Sequence, residues 1–439
     1  MASMNQTPSG ERVHIGFFGR RNAGKSSVVN AVTGQELAVV SDVKGTTTDP
    51  VTKSMEILPL GPVVVIDTPG FDDSGSLGEL RVERTRRILE RTDIAVLVVD
   101  SSEGIKQCDI ELVDLFDERK LPYVVVFNKI DIGQTANSAP VGAARNNTEE
   151  GSEKNKSAAV VIGGDEKGSG FTAPVVRTSA VTGDGIEELK NTIAALKPEE
   201  KEIPLVSDKI KEGDIVLLVV PIDKAAPKGR LILPQQQTIR DIIDAGASAV
   251  VVRDSELAET LGRLGPSARP ALVITDSQVF GKVDEIVPPE IPLTSFSILM
   301  ARHKGLLEEA VRGVAAIKNL KDGDKVLIAE GCTHHRQCGD IGRDKIPKWI
   351  KDFTGKNIEF EMTSGGGYPA DLTDYALVVH CGGCMLNERE VGYRVKSASV
   401  QGVPITNYGT LIAHVHGILA RSIGIFPELE YNRDEGDKQ

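Results

Sequence analysis

The chain has 439 residues, 40% apolar and 26% charged, proportions close to globular averages that exclude wholesale disorder and a collagen-like architecture. At roughly 150 residues per domain the length suggests about three domains. Lys and Arg number 51 against 63 Asp and Glu, a net charge of −12, so the body has no long-range attraction for nucleic acid or anionic lipid.

The first 200 residues alternate strand and helix signals. Short β-rich runs occur at Val13–Phe18, Val63–Ile66, Ile94–Val99, Tyr123–Phe127 and Val175–Arg177, with helical patterns between them at Glu79–Arg91 and Ile110–Arg119. This alternation predicts an α/β fold, a mostly parallel sheet with helices on both faces. The spacing breaks at Gln134–Thr172, rich in Gly, Ala, Ser, Asn and charge apart from the apolar patch Ala158–Ile162. It is too long for an ordinary connection and is expected to be a flexible surface insertion. The charged, Pro-containing stretch Lys197–Pro204 reads as a linker.

Beyond it, strands are expected at Ile215–Val220, Ala249–Val252 and Ala271–Ile274, helices at Gln235–Asp244 and Ser255–Leu264, and a longer amphipathic helix at Leu306–Asn319. A third series follows, with strands at Lys325–Ala329, Asn357–Glu361, Ala376–Val379 and Val403–Thr406 and helices at Ile346–Phe353, Glu388–Ser397 and Leu411–Arg421. The openings of the two later regions resemble each other, Lys211-Glu-Gly-Asp-Ile-Val-Leu-Leu beside Lys321-Asp-Gly-Asp-Lys-Val-Leu-Ile, a weak signal of two related α/β units. The resulting domains are 1–200 (with the insertion at 134–172), 201–320 and 321–439. No stretch approaches the roughly 18 apolar residues of a membrane span. Met1–Arg12 lacks the apolar core of a signal peptide, so a cytoplasmic protein that engages neither membrane nor nucleic acid is expected.

Gly19-Arg-Arg-Asn-Ala-Gly24-Lys25-Ser26 fits the P-loop pattern directly after a predicted strand. Glycines let backbone N–H groups wrap phosphates, with Asn22, Ala23 and Ser27 in the same wrap. Lys25 supplies a point charge at the β- and γ-phosphates, and the Ser26 hydroxyl is a Mg²⁺ ligand. Asp67-Thr-Pro-Gly70 ends the next strand, where Asp67 holds Mg²⁺ through water and the Gly70 N–H senses the γ-phosphate. Asn128-Lys129-Ile130-Asp131 follows a further strand, and Asp131 can accept from guanine N1–H and N2–H₂, which adenine does not offer. Ser179-Ala180 follows another, and its backbone N–H can meet guanine O6. All four boxes sit at strand C-termini, where α/β ligands bind, and together they predict GTP and GDP binding with Mg²⁺.

This region resembles the translation-factor-related GTPases of the Era, EngA and MnmE group. That resemblance makes Gly45-Thr46-Thr47-Thr48-Asp49 the switch segment and Thr47 the Mg²⁺-binding threonine. The residue after Gly70 is Phe71, which has no donor or acceptor for the attacking water, so the glutamine route to hydrolysis is missing. Asn22 occupies a place where its side-chain oxygen can ligate a K⁺ beside the phosphates, or where it is a plain turn residue. Slow hydrolysis is expected either way, with Lys25, Asn22, Thr47 and Gly70 as the catalytic set and the nucleotide acting as a switch.

Four of the five cysteines fall in the last quarter of the chain. An odd count at low density argues against a disulfide framework. Cys332-Thr-His334-His335 and His380-Cys381-Gly-Gly-Cys384 each follow a predicted parallel strand, whose C-terminal ends share one crevice in a doubly wound sheet. Three thiolates and an imidazole suit zinc or an iron–sulfur cluster. Ligands sprouting from a large α/β domain that needs no metal to fold favour a 4Fe–4S cluster with one exchangeable iron. Cys338 and Cys108 read as ordinary thiols, and His414 and His416 as helix histidines.

A GTPase region followed by a middle α/β region and a Cys-x-His…His-Cys-x-x-Cys region is similar to the HydF family of FeFe-hydrogenase maturation GTPases. The resemblance implies a scaffold that holds a 4Fe–4S cluster and receives a diiron precursor made with two radical-SAM maturases. Such a scaffold hands the precursor to apo FeFe-hydrogenase and forms a homodimer through its middle domain. It implies Cys332, Cys381 and Cys384 as cluster ligands and leaves the fourth ligand open between His334, His380 and other groups. Readings of another class are a ribosome-assembly or tRNA-modification GTPase with a zinc domain, and a general iron–sulfur carrier.

Overall fold

The computed structural model describes residues 7–35, 51–70, 85–132, 159–162, 171–197, 203–222, 231–331 and 340–429. Two units divide the chain, Met1–Glu200 and Lys201–Gln439.

In the first unit the strands are β1 (Val13–Phe18), β2 (Val51–Ile57), β3 (Gly61–Asp67), β4 (Ile94–Asp100), β5 (Tyr123–Asn128), β6 (Ala159–Ile162) and β7 (Phe171–Arg177). They form one sheet in the order β2-β3-β1-β4-β5-β7-β6. β1 and β4 are buried along their whole length, as continuous apolar runs must be when both faces of a parallel sheet are covered. Apolar clusters around Val28, Val96 and Leu189 and around Leu97, Leu112 and Phe116 provide that cover. The pairings among β3, β1, β4, β5 and β7 are parallel. The two outer pairs, β2 with β3 and β6 with β7, are antiparallel. The expected flexible insertion is therefore corrected in part. Ala159–Ile162 pairs with β7, from Ala159 opposite Pro174 to Ile162 opposite Phe171, because the isolated apolar patch finds a partner edge.

The second unit holds two four-stranded parallel sheets. β8 (Ile215–Val219), β9 (Ser248–Val252), β10 (Leu272–Thr275) and β11 (Leu293–Ser295) lie in the order β11-β10-β8-β9. β12 (Lys325–Glu330), β13 (Glu359–Ser364), β14 (Leu377–His380) and β15 (Ile405–Asn407) lie in the order β13-β12-β14-β15. In both, the first strand is central, the second pairs on one side, and the third and fourth extend the other.

The likeness reaches atomic detail. Lys211 N–H donates to Asp214 Oδ2 at 2.8 Å and Lys321 N–H to Asp324 Oδ2 at 2.8 Å. Gly213 and Gly323 take φ of +83° and +86°, the left-handed turn that favours glycine. At the far end, Ser295 caps the helix Phe296–His303 and Asn407 caps the helix Tyr408–Val415 through side-chain oxygens. The repeat hinted at by two similar openings is thus a duplicated topology. One hydrophobic core runs through both sheets, from Leu205 to Phe426.

Two expected helices are modified. Leu306–Asn319 is α-helical over Leu307–Gly313 and tightens to 3₁₀ over Val314–Asn319. Leu411–Arg421 divides into Tyr408–Val415 and Leu419–Ser422, separated by Gly417 at φ +72°. Among the described residues no helix is long and apolar enough to cross a membrane.

Candidate nucleotide and cysteine sites

β1 runs into the P-loop, whose backbone needs the residues it has. A Cβ on Gly19 would stand 2.2 Å from Val98 O, and one on Gly24 2.3 Å from Asn128 Nδ2. Asn22 takes φ +62°, a conformation that asparagine enters more readily than most residues. Lys25, Ser26 and Ser27 open the helix Lys25–Thr33, which has no side-chain N-cap. Its first N–H groups are thus a ready anion site. The buried Lys25 ammonium donates to Gly19 O at 2.9 Å and Arg20 O at 2.8 Å, which curls the loop around its cation.

Sequence reasoning missed what anchors this loop. Arg20 Nε donates to Asp109 Oδ2 at 3.1 Å and Nη2 to Gly104 O at 2.9 Å. Asp109 is fully buried on the helix Gln107–Glu118, where burial raises its carboxyl pKa and Arg20 works against that. An arginine inside a P-loop pattern reads as solvent-facing, and nothing local points to an aspartate so distant in the chain.

On the metal side, Ser26 Oγ donates to Asp67 Oδ2 at 2.6 Å. Asp67 Oδ1 is buried without a hydrogen-bond partner among the described residues, and burial raises this carboxyl despite Ser26 and Lys25. An orphaned anionic oxygen beside a hydroxyl fits a hydrated Mg²⁺, with Ser26 and Asp67 holding it. Gly70 lies against the P-loop, since a Cβ there would stand 2.7 Å from Arg21 Cα. Thr47 and Phe71 lie outside the described residues.

On the base side, Asn128 joins three segments. Its Nδ2 donates to Ala23 O at 3.2 Å, and its Oδ1 accepts from Ala180 N–H at 3.2 Å. Lys129, at φ +67°, pairs with Asp100 at 2.7 Å. Burial pushes the Asp100 carboxyl up, but Lys129 and Ser102 outweigh it and hold the pKa below the ordinary value. Asp131 Oδ1 accepts from Ser179 Oγ at 2.6 Å. The predicted phosphate, metal and base residues that are described therefore lie at the C-terminal ends of strands β3, β1, β5 and β7.

In the second unit the cysteine residues leave β12 and β14, adjacent strands whose chains depart to opposite sides, a topological switch point. Gly331, which precedes Cys332, donates its N–H to Cys381 Sγ at 3.1 Å, and the Gly383 N–H reaches the same sulfur at 3.4 Å. Gly383 takes φ +66°, which closes the Cys381–Cys384 turn. Burial raises the pKa of both thiols, Cys384 to about 11, and the two N–H donors temper Cys381. Sulfur accepting backbone N–H groups in a half-buried pocket fits thiolate ligation of a soft metal or cluster, which would displace the thiol protons.

Cys332 and His334 lie outside the described residues, as do His335 and Cys338. Among the described residues no group of three or more His, Cys, Asp or Glu is arranged to hold a metal. The expectation that His380 is a candidate fourth ligand meets a physical obstacle. Its Nδ1 lies 2.7 Å from Cys381 O and its Nε2 3.2 Å from Arg394 Nη1, so both ring nitrogens are engaged. Burial and the Arg394 charge push its pKa down to about 3.

Comparison with known protein families matches three segments of the chain. Residues 205–305 match the hydrogen maturase F dimerization domain, and residues 308–425 the hydrogen maturase F tetramerization domain. Residues 14–129 match a 50S ribosome-binding GTPase domain. The first unit is a GTPase domain and the second carries self-association domains; a tetramerization domain goes beyond the homodimer expected from sequence. The tRNA modification GTPase MnmE of Laribacter hongkongensis is 39% identical over 29% of this chain and 28% of its own length. GTPase Der of Wolinella succinogenes is 41% identical over 29% of this chain and 27% of its own. The chain thus spans less than a third of each. Among solved structures, Aquifex aeolicus Era bound to GDP and aluminium fluoride is 20% identical, covering 57% of this chain and 98% of its own, with a TM-score of 0.32.

Proposed function

This chain belongs to the hydrogen maturase F family, and we propose that it is a cytoplasmic GTP-switched scaffold of FeFe-hydrogenase maturation. It binds and slowly hydrolyses GTP with Mg²⁺, holds a 4Fe–4S cluster on Cys332, Cys381 and Cys384, and receives a diiron precursor from two radical-SAM maturases. It then delivers that precursor to apo-hydrogenase. The observation that carries the reading is the Gly331 N–H on Cys381 Sγ. It sets the residue before Cys332 against the second cysteine loop, which supports three cysteines serving one site.

When bound, the cluster supplies one iron without a cysteine and so a replaceable position for cargo. The chain's own residues do the rest. Gly331 and Gly383 aim N–H groups at sulfur and offset its charge. The Gly383 turn fixes the spacing of Cys381 and Cys384. Gly382 packs the loop beside the helix Phe296–His303, where a Cβ would sit at ordinary contact distance, 3.7 Å from Met300 Cγ. A zinc staple is disfavoured by the core beneath. Fully burying each Leu, Val or Ile contributes about 1.5–3 kcal/mol, and the core from Leu205 to Phe426 contains many of these, so folding needs no metal.

Self-association engages the exposed edge of β9, which pairs only with β8 among the described residues. Anaerobic reconstitution with iron and sulfide, followed by EPR of the reduced chain and metal analysis, tests the reading. Four irons per chain with a cluster signal are expected; stoichiometric zinc with no cluster signal would overturn it.

A further inference from the structure

Arg394 is the largest fully buried side chain among the described residues, 1% exposed, on the helix Glu388–Val400. A guanidinium in that position loses its hydration and persists only where it is hydrogen-bonded and paired with an opposite charge. Nη2 donates to Gly365 O at 2.7 Å and to Glu390 Oε1 at 2.8 Å. The guanidinium carbon lies 5.0 Å from the Tyr368 ring centroid, and Tyr368 Oη donates to the Arg394 carbonyl at 3.2 Å. The remaining contact, Nη1 to His380 Nε2 at 3.2 Å, reaches the residue beside Cys381.

This contact decides a proton position. Arginine has donors and no acceptor, so His380 Nε2 must be the acceptor and carries no hydrogen. The ring proton is on Nδ1, which then donates to Cys381 O at 2.7 Å. The order Glu390, Arg394, His380, Cys381 backbone is a line of support from a helix to the cysteine turn, like the outer groups that orient metal ligands elsewhere.

We propose that Arg394 is a positioning residue of the cysteine site: it locks His380 in the Nδ1–H tautomer, braces the Cys381 carbonyl, and keeps the imidazole from serving as an iron ligand. The role at iron rests on the scaffold reading above; the tautomer does not. The fourth position on the cluster then belongs to a group other than His380, and the His380 ring serves the loop's shape.

The test uses the full chain in two arms. In the metal-free chain labelled with ¹⁵N-histidine, long-range proton–nitrogen correlation reads the His380 tautomer, assigned by its loss in His380→Gln. A single Nδ1–H form is expected in the wild type and in Arg394→Lys, which keeps a donor, and a mixture of tautomers in Arg394→Met. An Nε2–H form in the wild type overturns the proposal, as does an unchanged single tautomer in Arg394→Met. In the reconstituted chain, pulsed EPR of the reduced cluster is expected to lack a coordinated-imidazole nitrogen coupling that His380→Gln removes. Arg394→Met should lower iron content and alter the spectrum, with Arg394→Lys restoring both. A His380-dependent ligand coupling in the wild type overturns the proposal even if Arg394→Met does not fold. A chain that takes up no cluster but shows the Nδ1–H tautomer refutes the scaffold reading and the bar to iron ligation, leaving the brace alone.

Discussion

The Gly331 backbone N–H points at Cys381 Sγ from 3.1 Å, which links the end of β12 to the start of the loop after β14. A hard hydroxyl replaces a soft thiolate poorly at iron. Cys332→Ser, Cys381→Ser and Cys384→Ser are therefore each expected to lose most reconstituted iron and sulfide. GTP binding should survive in all three, because the P-loop belongs to the other unit. Iron content, EPR and nucleotide titration on the same samples check this. Activation of apo-hydrogenase by a variant without a cluster would sink the scaffold mechanism.

Asp67 Oδ2 accepts from Ser26, while its buried Oδ1 has no hydrogen-bond partner among the described residues. Burial raises the pKa of this carboxyl. A raised folded-state pKa gives a stability contribution that is full below the unfolded value and lost as pH rises through the folded one. The nucleotide-free GTPase domain should thus lose stability just above the ordinary carboxylate range, and Mg²⁺–GTP should restore it. Asp67→Asn is expected to raise the nucleotide-free melting temperature at neutral pH and to abolish Mg²⁺-dependent GTP binding. Melting curves at several pH values with and without Mg²⁺–GTP measure both; a variant less stable than wild type at neutral pH would refute the account.

Much of this was legible in the sequence because it is local. β1 coincides with the apolar run Val13–Phe18, and the nucleotide boxes sit at strand ends as their order implied. β2 was missed because Val-Thr-Lys-Ser-Met-Glu-Ile mixes charge into an edge strand, and β11 because Leu293-Thr-Ser295 holds one apolar residue between Pro292 and a helix. The duplicated topology showed itself only in Lys-x-Gly-Asp, whose Asp side chain closes each turn. Arg394 was invisible, since an arginine in a helical pattern reads as solvated until the fold seats His380 beneath it.

Base specificity rests on Asp131, already oriented by Ser179 at 2.6 Å. Asp131→Asn removes an acceptor for guanine N1–H and N2–H₂. Hydrogen bonds to a charged group contribute about 1.5–3 kcal/mol each, so GTP affinity should fall at least about tenfold while xanthosine nucleotides gain. Competition binding with the two triphosphates measures the switch, and wild-type GTP affinity in the variant would remove the guanine assignment.

Asn22 requires two substitutions, because its backbone is left-handed at φ +62°. Alanine there costs roughly 1–2 kcal/mol of strain and confuses loop geometry with cation binding. Glycine keeps the loop and deletes only the amide. Hydrolysis should be faster in KCl than in NaCl at equal ionic strength, and Asn22→Gly should erase that difference without weakening GTP binding. Equal rates for the wild type in both salts would leave Asn22 as a turn residue.

The last expectation concerns assembly. β9 is the outer strand of its sheet, and Val251 on it is 45% exposed. An apolar edge without a partner strand among the described residues offers backbone donors and acceptors for another strand, and it lies within the segment matching a dimerization domain. Lysine is what edge strands use against such pairing. Val251→Lys puts a charge at an exposed position without disturbing the buried Leu217 and Leu218 of β8. The variant should stay folded by circular dichroism and keep GTP binding, while its sedimentation shifts toward smaller species. Each subunit lost removes the matching edge of its partner, so the effect should strengthen on dilution. An unchanged size across a hundredfold dilution would move the association surface away from β9.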